Sequence, residues 1–163
     1  MSPLRPLSLA ALVLLGCPLA IGSTDEAKDE EADAGVEIPE FKLSAEVRKA
    51  LAEGKSFTVM SIDPVPTAAV PTRAWRVLKR KTIEDPALRK EVVTAVIKAA
   101  DDARGALGCF EPRHAIFTEL DGHRYELVIC FHCLQLSLYR DGQSLPGSGI
   151  TRSAQDLLDK VLK

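Results

Sequence analysis

Apolar residues recur along this chain at two periods, which separate its predicted helices from its predicted strands. They follow helical spacing in some segments and alternate with polar residues in others. Asp85-Pro86 is a typical helix start, and Asp121-Gly122 is suited to a two-residue hairpin turn. The predicted elements are helices over 45–53, over 86–102 and from Ser153 onward, and strands over 57–62, 75–82, 114–120 and 123–139.

The order of these elements predicts the fold class. Strands come in adjacent pairs rather than alternating one for one with helices. We therefore expect an α+β domain with a mostly antiparallel sheet of about four strands and helices packed on one face. The long strand over 123–139 changes phase, so a bulge or tight bend near 132–134 would be needed to keep one apolar face. Gly147-Ser148-Gly149 is interpreted as a linker before the last helix.

The first residues predict a targeting signal rather than part of the fold. Residues 7–15 are almost entirely apolar, which is too short for a bilayer span but typical of a secretory signal. We predict a signal peptide over 1–22. Leu14-Leu15-Gly16-Cys17 also resembles a bacterial lipobox, in which Cys17 is lipidated and begins the mature chain. We expect an exported protein of the bacterial cell envelope, either held at the membrane surface by an N-terminal lipid or periplasmic or secreted.

The distribution of charged residues divides the chain after residue 22 into two segments. Residues 23–40 hold eight acidic residues against the single basic residue Lys28, which predicts a disordered acidic tether. Residues 41–163 then form a single domain, with 19 basic and 15 acidic residues. Its basic run, Lys79-Arg80-Lys81, lacks the interleaved aromatic residues of a nucleic-acid surface, so we expect no nucleic-acid partner. We interpret the run as a solvated strand edge.

Three cysteines and two histidines near the predicted hairpin are the residues suited to a crosslink, a metal site or thiol catalysis. If Asp121-Gly122 is the turn, two residues that face each other across the hairpin have numbers that sum to 243. One extra residue in the first strand, at Pro112, would then set Cys109 opposite Cys133. A Cys109–Cys133 disulfide, with Cys130 as a small buried hydrophobic residue, is one interpretation, since export favours disulfides.

Two other interpretations stay open. The candidate ligands Cys109, His114, Cys130, His132 and Cys133 include three thiols and two imidazoles, which could hold Zn²⁺ or, with thiolates alone, Cu⁺. The Cys130-x-x-Cys133 spacing also occurs in thiol redox enzymes, but these need a helix N-terminus, and none is predicted beside Cys130. The sequence contains no phosphate-binding glycine loop, nucleophile-elbow serine or paired-histidine zinc helix.

Two segments carry a resemblance to known proteins. Cys109-Phe-Glu-Pro-Arg-His114 and Ile129-Cys-Phe-His-Cys133, preceded by Trp75-Arg-Val-Leu78, resemble a group of uncharacterised small exported bacterial proteins over about residues 57–163. This chain departs from that pattern at Ala115 and at Lys79-Arg80, where glycines are expected. The resemblance implies that the two cysteine segments belong together, and it implies no activity.

The leading hypothesis is an exported envelope protein that acts as a non-catalytic binding or interaction module. Its hairpin would be stabilised by its cysteines, its envelope partner is unknown, and no cofactor is expected. The first alternative is a zinc- or copper-binding protein that uses the cysteine cluster. The second alternative is a thiol redox enzyme.

Overall fold

The computed structural model of the protein describes residues 42–65 and 75–163. Its helices are α1 (Ala45–Glu53), α2 (Pro86–Asp101) and α3 (Gln155–Val161), with a short 3-10 helix (Arg152–Ala154) directly before α3. Its strands are β1 (Lys55–Ile62), β2 (Val77–Thr82), β3 (His114–Leu120), β4 (His123–Cys130), β5 (Gln135–Arg140) and β6 (Gln143–Gly149). The predicted signal peptide (1–22), lipidation at Cys17 and the acidic tether (23–40) lie outside the described residues.

The six strands form one open sheet in the order β2-β1-β3-β4-β5-β6, and every neighbouring pair is antiparallel. The predicted register of β3 and β4 is confirmed, since His114 pairs with Ile129 and Leu120 pairs with His123. The turn residue Gly122 has a φ of +81°, which glycine adopts at little cost. A two-residue turn with positive φ angles at both residues matches the twist of the two strands that it joins.

The predicted fold class is wrong. In place of an α+β domain with about four strands and helices packed on one face, the structure has a six-stranded sheet, and three short helices that form no clear layer on a sheet face. The predicted strand over 123–139 is in fact two strands, β4 and β5, because the chain turns back over 131–134. The predicted linker Gly147-Ser148-Gly149 belongs to β6, which pairs with β5.

The tight turn between β4 and β5 explains the phase change seen in the sequence. Because of this turn, Leu127 pairs with Leu138 and Ile129 pairs with Leu136, and all four side chains join one buried cluster. The predicted position of the irregularity, near 132–134, is confirmed, but it is a reversal between two strands rather than a bulge or bend within one. The same cluster includes buried residues from each of the three helices, and burying a large aliphatic side chain stabilises the fold by about 1.5–3 kcal/mol.

The helix starts predicted at residues 45 and 86 are confirmed, whereas the last helix was predicted from Ser153 and in fact begins at Gln155, after a 3-10 helix that contains Ser153. The Ser44 hydroxyl accepts a hydrogen bond from the Val47 amide at the start of α1, and the Asp85 carboxylate accepts one from the Ala87 amide at the start of α2. Such caps satisfy amides that have no partner within the helix. None of the helices in the described ranges has both the length and the apolar character needed to cross a membrane.

A smaller apolar cluster lies on the opposite face of the sheet. Ala115 and Val128 pair across β3 and β4 and belong to this cluster, whereas their neighbours Ile116 and Leu127 belong to the main one. Successive strand residues point to opposite faces, which accounts for the separation. Trp75 and Phe110 pack against this cluster and meet edge to face, with ring centroids 6.3 Å apart.

Candidate functional site

The two cysteine segments meet at the end of the β3–β4 hairpin that lies away from its turn, here called the disulfide end. Cys109 precedes β3, and Cys133 lies in the turn between β4 and β5. Their Cα atoms are 5.6 Å apart, within the range that a disulfide requires, and the structure joins their sulfurs. The Leu107 amide also donates a hydrogen bond to the Cys133 carbonyl at 2.9 Å. A side-chain and a main-chain link therefore hold the two segments together.

The third thiol, that of Cys130, lies outside this pair. It is free and buried, with 1% of the residue exposed. Its sulfur accepts a hydrogen bond from the Cys133 amide at 3.1 Å, so the thiol is held against the turn that carries Cys133. This environment is that of a small apolar side chain with one weak polar contact.

The two candidate histidines have different environments. His114 is 6% exposed, its Nε2 lies 2.8 Å from a carboxylate oxygen of Asp159 in α3, and its ring meets Phe131 edge to face at 5.4 Å. His132 is exposed in the turn between β4 and β5. Asp159 therefore occupies one nitrogen of His114, while His132 is exposed and lies at the same end of the hairpin.

The candidate ligands do not form a metal-binding set in the described residues. Within 42–65 and 75–163, no group of three or more His, Cys, Asp or Glu side chains is placed to hold a metal ion. Two of the three thiols are joined to each other, and the third is buried beside the turn. The zinc or copper interpretation stays a prediction that a metal measurement can test.

A cavity of about 250 Å³ opens at the disulfide end. The described residues that line it come from the two cysteine segments and from the chain around the start of α3; they are Glu111, Arg113, His114, Phe131, His132, Arg152 and Gln155. Most of these belong to the segments that carry the resemblance. The cavity therefore joins the candidate motif residues to a part of the chain that follows them by some 20 residues or more.

Arg152 is the residue that closes this cavity from the C-terminal side. Its Nε donates a hydrogen bond to the Phe131 carbonyl at 3.1 Å, so the stem of the side chain is fixed against the turn between β4 and β5. The other guanidinium nitrogens of Arg152 make no hydrogen bond or ion pair with any described residue. They keep the planar donor geometry that suits carboxylate and phosphate oxygens.

Positive charge prevails among the lining residues. Arg113 and Arg152 oppose one lining acid, Glu111, while Asp159 behind His114 is engaged by the imidazole. No described residue forms a hydrogen bond with the guanidinium of Arg113, although it interacts electrostatically with the Asp63 carboxylate outside the cavity. Arg113 and Arg152 thus place two cationic groups at one small cavity. Electrostatic complementarity favours an anion at such a place.

Sequence reasoning did not identify Arg152, Gln155 or Asp159 as site residues. They follow the cysteine segments by some 20 residues or more, and no motif spacing relates them to Cys109 or His114. Arg113 belongs to the Cys109-Phe-Glu-Pro-Arg-His114 segment, but no pattern in the sequence marks it as a binding residue. Their proximity depends on the packing of α3 beside the disulfide end, and no local pattern in the sequence signals that packing.

Comparisons with known proteins do not add to this geometry. No protein-family model, curated protein or solved structure matches the chain. A functional interpretation therefore depends on the chemistry of the cavity itself.

Proposed function

We propose that this protein is an exported, non-catalytic binding module that holds a small organic anion in the cavity at the disulfide end. The observation that carries the proposal is the pair of arginines, Arg113 and Arg152, whose guanidinium groups share one small cavity without any acidic side chain bonded to them. Both arginines are exposed, and a hydrogen bond to a charged group contributes about 1.5–3 kcal/mol. Two such groups can account for useful affinity from a small site.

The remaining lining residues fit a ligand with an anionic head and a carbon skeleton. His132 and Gln155 offer further donors at the cavity, and Phe131 offers an apolar surface. The volume of about 250 Å³ lies just below the range of about 300–1,000 Å³ usual for drug-sized ligands. The ligand that suits this cavity is therefore a small carboxylate or phosphate compound rather than a nucleotide or a peptide.

Binding is favoured over catalysis by the residue types at the cavity. Its described lining residues carry no hydroxyl or thiol that could serve as a nucleophile. Cys109 and Cys133 are joined to each other, and Cys130 is buried. His114 is held by Asp159 and packed on Phe131, which suits a fixed wall.

Calorimetric titration of the purified exported chain with succinate and with inorganic phosphate tests the proposal. We expect saturable binding of at least one of them, weakened about tenfold or more by Arg152→Gln and by Arg113→Gln. Arg104→Gln is the matched control, because Arg104 is exposed and does not line the cavity. Its binding constant should equal that of the wild type.

Two results would overturn the proposal. One is the absence of saturable binding with both anions, and the other is equal binding by the wild type and both cavity variants. A native mass raised by one zinc or copper ion, with all thiols reduced, would instead support the metal-binding alternative.

A further inference from the structure

A second cavity, of about 440 Å³, lies on the face of the sheet that carries the smaller apolar cluster. The strands β2, β1, β3 and β4 all supply side chains to it. In β1, Met60 pairs with Arg80 on one side and with Ala115 on the other, and all three residues line the cavity. Its volume falls within the range of about 300–1,000 Å³ usual for small-molecule sites. None of its described lining residues lines the cavity at the disulfide end, so this is a separate candidate site.

The floor of this cavity is apolar and partly aromatic. Met60, Ile62 and Ala115 belong to the smaller apolar cluster or pack against it, and each is buried or half-buried. Trp75 and Phe117 add two half-buried aromatic side chains. The indole N–H of Trp75 is buried, and no described residue accepts a hydrogen bond from it. Because buried donors normally have an acceptor, an acceptor brought by a ligand beside Trp75 would satisfy this one.

The rim of the same cavity is charged and consists of the exposed Arg80 and Arg124 and the half-buried Glu126. None of these three side chains forms a hydrogen bond or ion pair with a described residue. The guanidinium of Arg124 lies over the ring of Phe117, 4.7 Å from its centre. This stacking leaves the N–H groups of the guanidinium plane free to donate. Two cations and one anion give the rim one net positive charge.

We propose that this cavity binds a small monocarboxylate with an aromatic body. The ring of the ligand packs against Trp75 and Phe117, while its carboxylate accepts hydrogen bonds from Arg80 and Arg124. One negative charge on the ligand matches the one net positive charge of the rim. The cavity at the disulfide end has one lining aromatic ring, that of Phe131, and suits a smaller and more polar anion. The two cavities therefore select different ligands.

Tryptophan fluorescence tests the proposal directly, because Trp75 is the only tryptophan of the chain and lines this cavity. The probe is phenylpropionate, which does not absorb where tryptophan is excited selectively, and we expect a saturable change in emission. Phenylpropanol keeps the ring without the carboxylate, and propionate keeps the carboxylate without the ring. Each should bind at least about tenfold more weakly than phenylpropionate, since each lacks one of the two kinds of contact. Calorimetric titration of the same samples detects binding that leaves the fluorescence unchanged.

Variants of the rim test the contacts to the carboxylate. Arg80→Gln and Arg124→Gln should each weaken the binding of phenylpropionate about fivefold or more, because each removes a charged donor. Lys81→Gln is the matched control from the same strand. Lys81 pairs with Val59, whose side chain belongs to the main cluster, so Lys81 lies on the other face of the sheet. This control should stay within about twofold of the wild type.

Variants of β2 also test the contact with the apolar body of the ligand. Val77 lines the cavity and is 37% exposed, so Val77→Ser should weaken binding about threefold. Leu78→Ser is the matched control, because Leu78 is 55% exposed and does not line the cavity. Both substitutions replace exposed side chains, so the fold should be kept.

Four outcomes would overturn the proposal. Three of them are no saturable binding of phenylpropionate by either method, equal binding of phenylpropanol, and rim variants that bind like Lys81→Gln. The fourth is tighter binding of phenylalanine than of phenylpropionate, which would assign Glu126 to an ammonium group and the cavity to a zwitterion. Arg152→Gln should bind phenylpropionate like the wild type, and Arg80→Gln should bind succinate and phosphate like the wild type, since each residue lines only one of the two cavities. Failure at one cavity is therefore distinguishable from failure at the other.

Discussion

The two ends of the β3–β4 hairpin are closed in different ways. At the turn end, Asp121 and Gly122 reverse the chain, and the exposed His123 lies 2.6 Å from the Asp141 carboxylate. At the disulfide end, Cys109 is joined to Cys133, and the buried His114 lies 2.8 Å from the Asp159 carboxylate. Each end thus has one imidazole–carboxylate pair, but only the second pair has a buried imidazole, which lies beside a cavity.

This difference shows that one end of the hairpin is determined by residues close in sequence and the other by tertiary packing. The turn end is built from a two-residue turn and from the next turn along the chain, which begins at Asp141. The disulfide end brings together residues before β3, the turn after β4 and the start of α3. A candidate binding site lies where distant segments meet, because only there do side chains of different origin enclose a volume.

Removal of the cysteine pair should give the largest loss of stability, and it alters only the disulfide end. We expect Cys109→Ser with Cys133→Ser to lower the free energy of unfolding by about 3 kcal/mol, because the crosslink restricts the unfolded chain over a separation of 24 residues. Urea unfolding measures the change, and calorimetry should show weaker binding of succinate or phosphate. The register of the turn end, followed by amide NMR, should remain.

Reducing agent provides the control for this prediction. Wild-type protein in excess dithiol should unfold at the urea midpoint of the double variant, which itself should not respond to the dithiol. Cys130→Ala, which leaves the pair in place, should keep most of the sensitivity to reduction. An unchanged midpoint in the double variant would show that the two cysteines are not paired in the protein.

The two histidines allow a matched test of the two ends. His114→Ala should lower the free energy of unfolding by about 2 kcal/mol, because it leaves a cavity beside Phe131 and removes the partner of Asp159. His123→Ala should cost less than about 0.5 kcal/mol, since exposed ion pairs contribute little. Urea unfolding of both variants at one pH makes the comparison. Equal losses would contradict the contrast drawn between the two ends.

The smallest predicted effect is a change in stability at low pH, and it arises at the turn end. The hydrogen bond from the Arg124 amide, followed by that from His123, holds the pKa of Asp141 below its ordinary value. A carboxyl whose pKa is lowered by folding stabilises the protein above its unfolded pKa of about 3.9, and this stabilisation is lost as pH falls through the folded pKa.

We therefore expect Asp141→Asn to narrow the difference between thermal midpoints measured at about pH 5 and about pH 3. The change should be small, because the pair is exposed. Glu111→Gln serves as a control, since no described residue forms an ion pair with Glu111. Parallel pH profiles for the wild type and Asp141→Asn would show that the carboxylate contributes nothing there.

Local patterns allowed correct prediction of β3, its turn and its register with β4. The same reasoning failed for β6, because Gly147-Ser148-Gly149 shows no apolar alternation. This segment is a strand because β5 offers it an edge, and Gly149 fits because a Cβ there would lie 2.8 Å from that of Ala103. Neither the neighbouring edge nor the close approach can be read from the residues themselves.

The candidate site was predictable only in part, for the same reason. Thiols and imidazoles identified the segments that carry Cys109, His114, Cys130, His132 and Cys133, because their chemistry is distinctive. Arg152 and Asp159 are ordinary surface residue types until α3 packs beside the hairpin. The predicted register could suggest the Cys109–Cys133 juxtaposition, whereas the C-terminal wall of the cavity required the tertiary structure.

The two-residue turn also determines which forms first, the β3–β4 hairpin or the disulfide. A β-hairpin closes in about 1–10 μs, whereas a disulfide forms in seconds to hours. Pairing of β3 with β4 therefore delivers Cys109 and Cys133 to each other well before an oxidant acts, and the same pairing withdraws Cys130 into the sheet. The sheet thus selects one of the three single disulfides that Cys109, Cys130 and Cys133 could form, so the third thiol need not lead to mispairing.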